Sequence, residues 1–202
     1  MDLPAVEHRL ALTVETPALA FFTPLLMEGV ELEADLGCSV RALLCDQLGL
    51  DSEYVNERIQ TVFLDGRPVD RLDHAVVTDG SVLALSAALP GLLGATLRKD
   101  GVYASLRQGI THVESPAACG KGRGLVTIKV FNVLLRELAP ALFQSGVLIG
   151  WKRLEKRIQK GGDRLIEAVQ VAEIDGMPVP PKDLAALARP PESRVLFSLS
   201  ID

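Results

Sequence analysis

Four stretches in the first half of the chain have the apolar patterns of β-strands. Apolar and charged residues alternate at a period of two in residues 30–34, which is typical of a strand, and the largely apolar residues 10–15 are another strand candidate. Residues 60–64 and 82–86 are short apolar runs of the kind found in buried strands. The apolar residues 17–27 contain two prolines, so we expect a loop between the first two strands.

A short amphipathic helix is expected between the second and third of these strands. Ser39 suits its N-cap and Gly49 its C-cap. The apolar residues between them recur at helical spacing, at Val40, Leu43, Leu44 and Leu48. The first half therefore predicts two strands, a helix and two further strands.

The second half repeats this order. Strands are expected at residues 125–131, 146–149, 169–174 and 195–199. A short helical turn is expected after the first of them, through Leu134, Leu135 and Leu138, and a helix is expected to start at Trp151.

One segment occurs twice, since residues 59–70 return as residues 169–180. Each copy has an Asp-Gly pair, at Asp65-Gly66 and at Asp175-Gly176, which is typical of a tight hairpin turn. Each aspartate is explained by its turn and is not expected to take part in catalysis. The repeat predicts two copies of one structural design.

Three motifs carry a family resemblance: residues 131–138 (Phe-Asn-Val-Leu-Leu-Arg-Glu-Leu), residues 37–44 (Gly-Cys-Ser-Val-Arg-Ala-Leu-Leu) and residues 63–69 (Phe-Leu-Asp-Gly-Arg-Pro-Val). They resemble the first-strand exit, the helix start and the late turn of the ubiquitin-like β-grasp superfamily, closest to its sulfur-carrier proteins, the small subunit of molybdopterin synthase and a thiamine-pathway relative. The resemblance implies an α+β fold with two tandem ubiquitin-like β-grasp modules. We place these modules at residues 1–94 and 125–202, joined by a long connector at residues 95–124.

The carriers of that family end in Gly-Gly, whose terminal carboxylate is adenylated and converted to a thiocarboxylate. Here the first module leads to Pro90, Gly91 and Gly94, but the chain continues, and the second module ends at residues 200–202 without a glycine. A sulfur-carrier function would therefore require cleavage after Gly91 or Gly94.

Composition limits the kind of partner that we expect. Hydrophobic residues make up 48% of the chain and charged residues 23%, which is ordinary for a folded protein. The formal net charge is −5 and aromatic residues are only 4%, so we expect neither nucleic acid nor a membrane as partner. Residues 17–27 are too short to span a bilayer.

The three cysteines, Cys38, Cys45 and Cys119, fit neither a disulfide framework nor a zinc site. This favours a reducing compartment, and we expect a cytoplasmic protein. Cys38 would be nucleophilic if it lay at the N-terminus of the first helix. Small, partly buried side chains are the favoured interpretation of both Cys38 and Cys45.

The connector offers weak candidates for chemistry. His112, Glu114 and Cys119 have the ligand types of a metal site, and residues 119–124 are glycine-rich and basic, as phosphate-binding loops are. No second histidine or C-x-x-C accompanies the first group, and no helix follows the second. A polar, flexible linker without a metal is therefore the favoured interpretation.

The helix that starts at Trp151 has a basic face. Trp151, Leu154 and Ile158 lie on its apolar side, and the opposite side presents Lys152, Arg153, Lys156, Arg157 and Lys160. This face could dock an acidic partner or an anionic ligand, because local fields direct encounter even on an acidic protein. A solvated face without a partner is the alternative.

No acid, base and nucleophile converge in the sequence, so we expect a non-catalytic interaction or adaptor protein without a cofactor. Its partner is expected to be another protein, with a homo-oligomer as a further possibility, and the expected contacts are the basic helix together with Pro90 and Gly91. The alternatives are a sulfur-carrier-like protein and a binder of a small molecule or metal in a cleft between the modules.

The intact mass of the protein recovered from its own cells separates the first two functions. We expect the mass of the uncut chain, because an adaptor requires no processing. A fragment ending at Gly91 or Gly94, or one heavier by the exchange of an oxygen for a sulfur atom, would instead establish the sulfur-carrier function.

Overall fold

The computed structural model describes residues 6–99, 101–107, 109–113, 117–120 and 122–202. It is a mixed structure of helices and β-sheet. The chain divides into two compact units. The first unit contains Leu32–Leu135, and the second contains the described residues before Leu32 together with Arg136–Asp202.

The described residues form ten strands: β1 His8–Val14, β2 Val30–Asp35, β3 Thr61–Leu64, β4 Arg67–Pro68, β5 Val82–Ser86, β6 Arg123–Phe131, β7 Val147–Gly150, β8 Val169–Ile174, β9 Met177–Pro178 and β10 Arg194–Ile201. The helices are α1 Leu19–Glu28, α2 Val40–Ala42 with a π-helical turn at Leu43–Gln47, α3 Ser52–Glu57, α4 Gly91–Leu97, α5 Leu134–Gln144 and α6 Trp151–Ala168. Short 3-10 turns lie at Thr16–Ala18, Ala104–Arg107 and Pro181–Ala186.

In the first unit the strands follow the order β4, β3, β5, β6 and β2. Strands β5 and β6 are parallel neighbours, in a register that runs from Val82 opposite Thr127 to Ser86 opposite Phe131. On β6, Val126, Ile128 and Val130 are fully buried. A strand from the second half of the sequence therefore completes the sheet of the first unit.

In the second unit the order is β7, β10, β1, β8 and β9. Here β1, from the first half of the sequence, lies parallel to β10 and antiparallel to β8. The core of this unit is centred on Phe197, whose ring lies 5.0 Å from that of Phe22 and 5.6 Å from that of Phe143. The two units thus each combine strands from both halves of the sequence.

The connector acquires a structural role from this arrangement. Adjacent parallel strands run in the same direction, so the chain must return to the starting edge of the sheet through a crossover of about a dozen residues or more. The segment between β5 and β6 is that crossover, and it contains α4 and the 3-10 turn Ala104–Arg107. The length of the connector follows from the parallel pairing.

Both Asp-Gly hairpin turns predicted from the repeat are confirmed. Asp65 and Gly66 have φ angles of 51° and 75°, and Asp175 and Gly176 have 53° and 78°, as a type I′ turn requires. In each turn the aspartate carboxylate also accepts a hydrogen bond from the backbone of the neighbouring strand, from Val82 N at 2.7 Å and from Arg9 N at 2.8 Å. The two copies of the repeat therefore share these side-chain hydrogen bonds as well as their turn geometry.

The loop expected at residues 17–27 is wrong, because most of it forms α1. Pro17 lies at the start of the 3-10 turn Thr16–Ala18 that precedes α1, where a missing N–H leaves no bond unmade, but Pro24 lies inside α1 and costs about 3 kcal/mol. Burial of an apolar side chain contributes about 1.5–3 kcal/mol. Four such side chains outweigh the proline, namely Leu19, Phe22, Leu25 and Leu26.

The other helices follow the expected positions. Ser39 caps α2 by accepting a hydrogen bond from Ala42 N, as predicted. The turn expected after β6 is the longer helix α5, and α6 starts at Trp151 with a kink at Gly162.

Candidate interaction surface

The connector is fixed to the first unit by a buried arginine. The Arg107 side chain is 4% exposed and pairs with Asp70 through two parallel hydrogen bonds, of 2.6 and 3.1 Å. It also donates to the carbonyl oxygens of Thr96 and Arg98 and to Thr111 Oγ1. Such a charged, bidentate pair is among the stronger hydrogen-bonded arrangements in proteins.

Backbone hydrogen bonds hold the connector on either side of Arg107. Lys99 N donates to Gln60 O at 2.8 Å, and His112 N donates to Pro68 O at 2.9 Å. Lys99 Nζ also donates to Val55 O at 2.6 Å. Described residues of the expected linker are therefore hydrogen-bonded to the rest of the first unit on both sides of Arg107.

A set of apolar side chains on the connector and at the start of α4, just before it, faces solvent. Their exposed fractions lie between 45% and 92%, and they are Leu92, Val102, Tyr103, Leu106, Ile110 and Val113, which we call the connector surface. They form the majority of the large, exposed apolar side chains among the described residues. Apolar groups concentrated in this way mark interaction sites more often than scattered ones do.

A pocket of 540 Å³ opens beside the connector surface, within the size range of ligand and anchor sites. Val102 and Tyr103 belong both to its wall and to the connector surface. Asn56 and Lys99 line it and also a neighbouring pocket of 140 Å³. The surface thus combines protruding apolar groups with a polar-edged recess.

Pro90 and Gly91, predicted as binding residues, lie at this site. Pro90 is the N-cap of α4, and Gly91 lines the pocket with a φ of 77°. Gly94 is closely packed, since a Cβ atom there would lie 2.0 Å from the carbonyl oxygen of Leu89. The tail-like segment is therefore part of a folded helix and of the pocket wall.

The basic helix divides into two sets of side chains. Arg153 and Arg157 both bind the carboxylate of Glu28 on α1, while Lys152, Lys156 and Lys160 are exposed at intervals of one turn. Burial raises the pKa of Glu28, but the two arginines outweigh burial and hold that pKa below its ordinary value of 4.5. Of the five predicted basic residues, the three lysines remain as an exposed row.

Among the weak metal candidates, Cys119 has no free thiolate to bind a metal. Cys119 is bonded to Cys38 in a disulfide, and Glu114 lies outside the described residues, as does Lys121 of the glycine-rich loop. The Nδ1 atom of His112 is buried without a hydrogen-bond partner. Within the described part of the chain, no group of three or more His, Cys, Asp or Glu side chains is placed to hold a metal ion.

The disulfide corrects the interpretation of the cysteines, which fitted no disulfide framework in sequence. Cys38 and Cys119 are 81 positions apart, so no short spacing pointed to their pairing. Cys45 keeps a free thiol, and burial raises its pKa above the ordinary value. Both observations agree with the interpretation of Cys45 as a small, partly buried side chain.

Two histidines outside the connector have close polar partners in the structure. His8 Nδ1 lies 3.0 Å from Asp175 Oδ2, and His74 Nε2 lies 2.7 Å from Arg71 Nη2. The Arg9 backbone N–H and then His8 lower the pKa of Asp175. The first contact stabilises the Asp175-Gly176 turn, and the second stabilises the loop that contains His74.

The connector surface was missed because its residues lie in a segment rich in glycine and charge. A signal was present, since Val102, Leu106 and Ile110 recur at intervals of four. That spacing is typical of one face of a helix.

Comparison with protein-family models, with curated proteins and with solved structures finds no match to the chain. None of the helices in the described ranges has the length and apolar character needed to cross a membrane.

The Arg107 anchor can be tested by substitution. We expect Arg107→Met to lower the free energy of unfolding by about 2–4 kcal/mol, because the partly buried Asp70 carboxylate loses its charged partner and the carbonyl oxygens of Thr96 and Arg98 lose a donor. Arg123→Met is the matched control on the same connector: its side chain is 61% exposed and pairs with Glu33, so the loss should stay below about 1 kcal/mol. Urea unfolding measures both, and equal losses would contradict the anchor.

The Glu28 pair predicts a pH dependence. Because its pKa is lower in the folded state than in the unfolded chain, Glu28 stabilises the fold fully above the unfolded value and loses this contribution as pH falls through the folded value. We expect Glu28→Gln to lower the free energy of unfolding by at most about 1 kcal/mol at neutral pH, since the pair is partly exposed.

Urea unfolding at pH 7 and at pH values below 4.5 measures this difference, which should shrink towards zero in acid. Glu167→Gln, on the exposed side of α6, is the control and should show no such trend. A Glu28→Gln difference that stays constant with pH would contradict the ion pair.

Proposed function

We propose that this is a non-catalytic interaction protein that binds a partner protein through the connector surface. The observation that carries the proposal is the set of exposed apolar side chains on a segment fixed by the buried Arg107 pair. A surface that is already ordered loses little conformational entropy on binding, so more of its contact energy appears as affinity.

The chemistry of the surface supports an apolar protein partner. Val102, with 92% of its area exposed, and Leu106 are apolar groups that gain from burial. The adjacent pocket can accept an anchoring side chain, as the central residues of interfaces require. Lys99 and Arg98 at its edge add polar contacts that fix orientation.

The groups with shifted pKa values favour binding over catalysis. The shift of Glu28 follows from an ion pair, that of Cys45 from burial and that of Asp175 from a turn. Each therefore has a structural cause of its own.

We further propose that both units derive from one β-grasp-like design whose strands were exchanged between the halves. Two features support this: each unit has a parallel strand pair beside an Asp-Gly hairpin, and the Asp65 and Asp175 carboxylates bind equivalent strand positions. The sulfur-carrier alternative stays a prediction, which would require cleavage in the wall of the pocket.

The test compares how much partner is captured by the unchanged chain and by two variants of it. The variant Val102→Asp with Leu106→Asp places charges on the connector surface, and Met177→Asp is the control, because Met177 is 66% exposed on β9 of the second unit. In crosslinked extracts of the source cells, quantified by mass spectrometry, we expect at least about tenfold less partner with the double variant, as for loss of two interface anchors.

Two outcomes would contradict the proposal: equal recovery of every protein by all three baits, or turnover of a substrate by the purified chain. Measurements at several ionic strengths distinguish binding through the connector surface from binding through the lysine row of α6. Only binding through the lysines should weaken steeply as salt is added. Sedimentation over a concentration series shows whether the partner is a second copy of the chain.

A further inference from the structure

The Cys38–Cys119 disulfide joins the end of the connector to the turn between β2 and α2. The Cα atoms of the two residues are 4.2 Å apart. Cys38 directly precedes Ser39, the N-cap of α2, and Cys119 lies shortly before β6. The bond therefore closes the last part of the crossover onto the first unit.

The two sulfur-bearing residues differ in accessibility. Cys38 is 3% exposed, whereas Cys119 is an exposed residue. Disulfide exchange proceeds by attack of a thiolate on one sulfur while the other leaves, so the sulfur that an external thiol can reach decides the direction. Cys119 is the exposed residue of the pair, so we expect attack at its Sγ atom, with Cys38 as the leaving group.

Among the described residues, few other contacts hold this end of the connector. Ala118 N donates to Gly37 O at 2.9 Å, and Leu36 N donates to Gly122 O at 2.8 Å. Arg123 adds ion pairs that are largely exposed and hence weak. The disulfide is thus the main tether of the described residues 117–120.

The Cys38 side of the bond has its own support. Gly37 N donates to Val77 O and Val77 N donates to Cys38 O, each at 2.9 Å, and Ser39 caps α2. These bonds do not involve the connector. Loss of the disulfide should therefore release the connector end and leave the turn and the first unit folded.

The geometry points to a reversible redox site, at which an external thiol attacks Cys119 and releases the connector end. The attacking thiolate forms a mixed disulfide with Cys119 Sγ, the Cys38–Cys119 bond breaks, and Cys38 leaves as a thiolate that takes up a proton. A second thiol then attacks the mixed disulfide and frees Cys119. In total the protein gains two electrons and two protons, and two external thiols become one disulfide.

This site is independent of the proposed partner and can be tested on the purified full-length chain. Cys45 is first replaced by serine to remove the third thiol; its raised pKa already makes it a poor competitor. The protein is equilibrated in glutathione buffers from strongly reducing to strongly oxidising, and free thiols are counted by alkylation and intact mass. We expect a reversible change from none to two thiols per chain without loss of the circular dichroism signal.

Single-cysteine variants test the direction of attack. With oxidised glutathione, Cys38→Ser should trap the mixed disulfide on Cys119, and this should form at least about tenfold faster than modification of Cys38 in Cys119→Ser, because accessibility controls the rate. Hydrogen exchange should rise on reduction in residues 117–120 and stay unchanged in β3 and β5. The variant Cys38→Ser with Cys119→Ser should reproduce the reduced state and remain folded.

Three results would overturn the inference. One is a bond that glutathione reduces only when denaturant unfolds the chain, because the bond would then be a permanent structural disulfide. Another is a pair of thiols that stays reduced in oxidised glutathione. The last is faster modification of Cys38 than of Cys119. Charges at Val102 and Leu106 should leave all these readouts unchanged, so failure of the interaction surface and failure of the redox site are distinguishable.

Discussion

Parallel pairing between strands from opposite halves of the sequence is the constraint on which the rest of the structure depends. In the first unit β5 pairs with β6, and in the second β1 pairs with β10. The backbone groups of a buried strand must find hydrogen-bond partners inside the protein. Since these central strands find them in the other half, neither half of the sequence completes a sheet from its own residues.

The connector follows from this constraint. A parallel pair requires a crossover, and the crossover is stabilised where it contacts the first unit, by the Arg107–Asp70 pair and by the disulfide at its end. Its polar anchors point inwards, so several of its apolar side chains are left in solvent. The candidate interaction surface and the candidate redox site are thus two consequences of one topological requirement.

Local chemistry was readable from the sequence wherever a short segment specified its own geometry. The Asp-Gly turns, the Ser39 cap and the start of α6 at Trp151 each depend on a few adjacent residues. Predictions failed where distant partners decided the outcome. The helix α1 tolerates Pro24 because its apolar face is buried, and the pairing of Cys38 with Cys119 depends on a fold that brings distant positions together.

The sequence by itself determined where most of the strands lie, where the hairpins turn and that one Asp-Gly segment occurs twice. Only the tertiary structure decided which strands are neighbours and which face of the connector meets solvent. The physical reason is that alternation with a period of two specifies which side chains face the core. The neighbouring strand is bound through backbone N–H and C=O groups, and these groups are the same in every sequence. Burial of Arg107 and exposure of Val102 were settled in the same way, by contacts with residues far away along the chain.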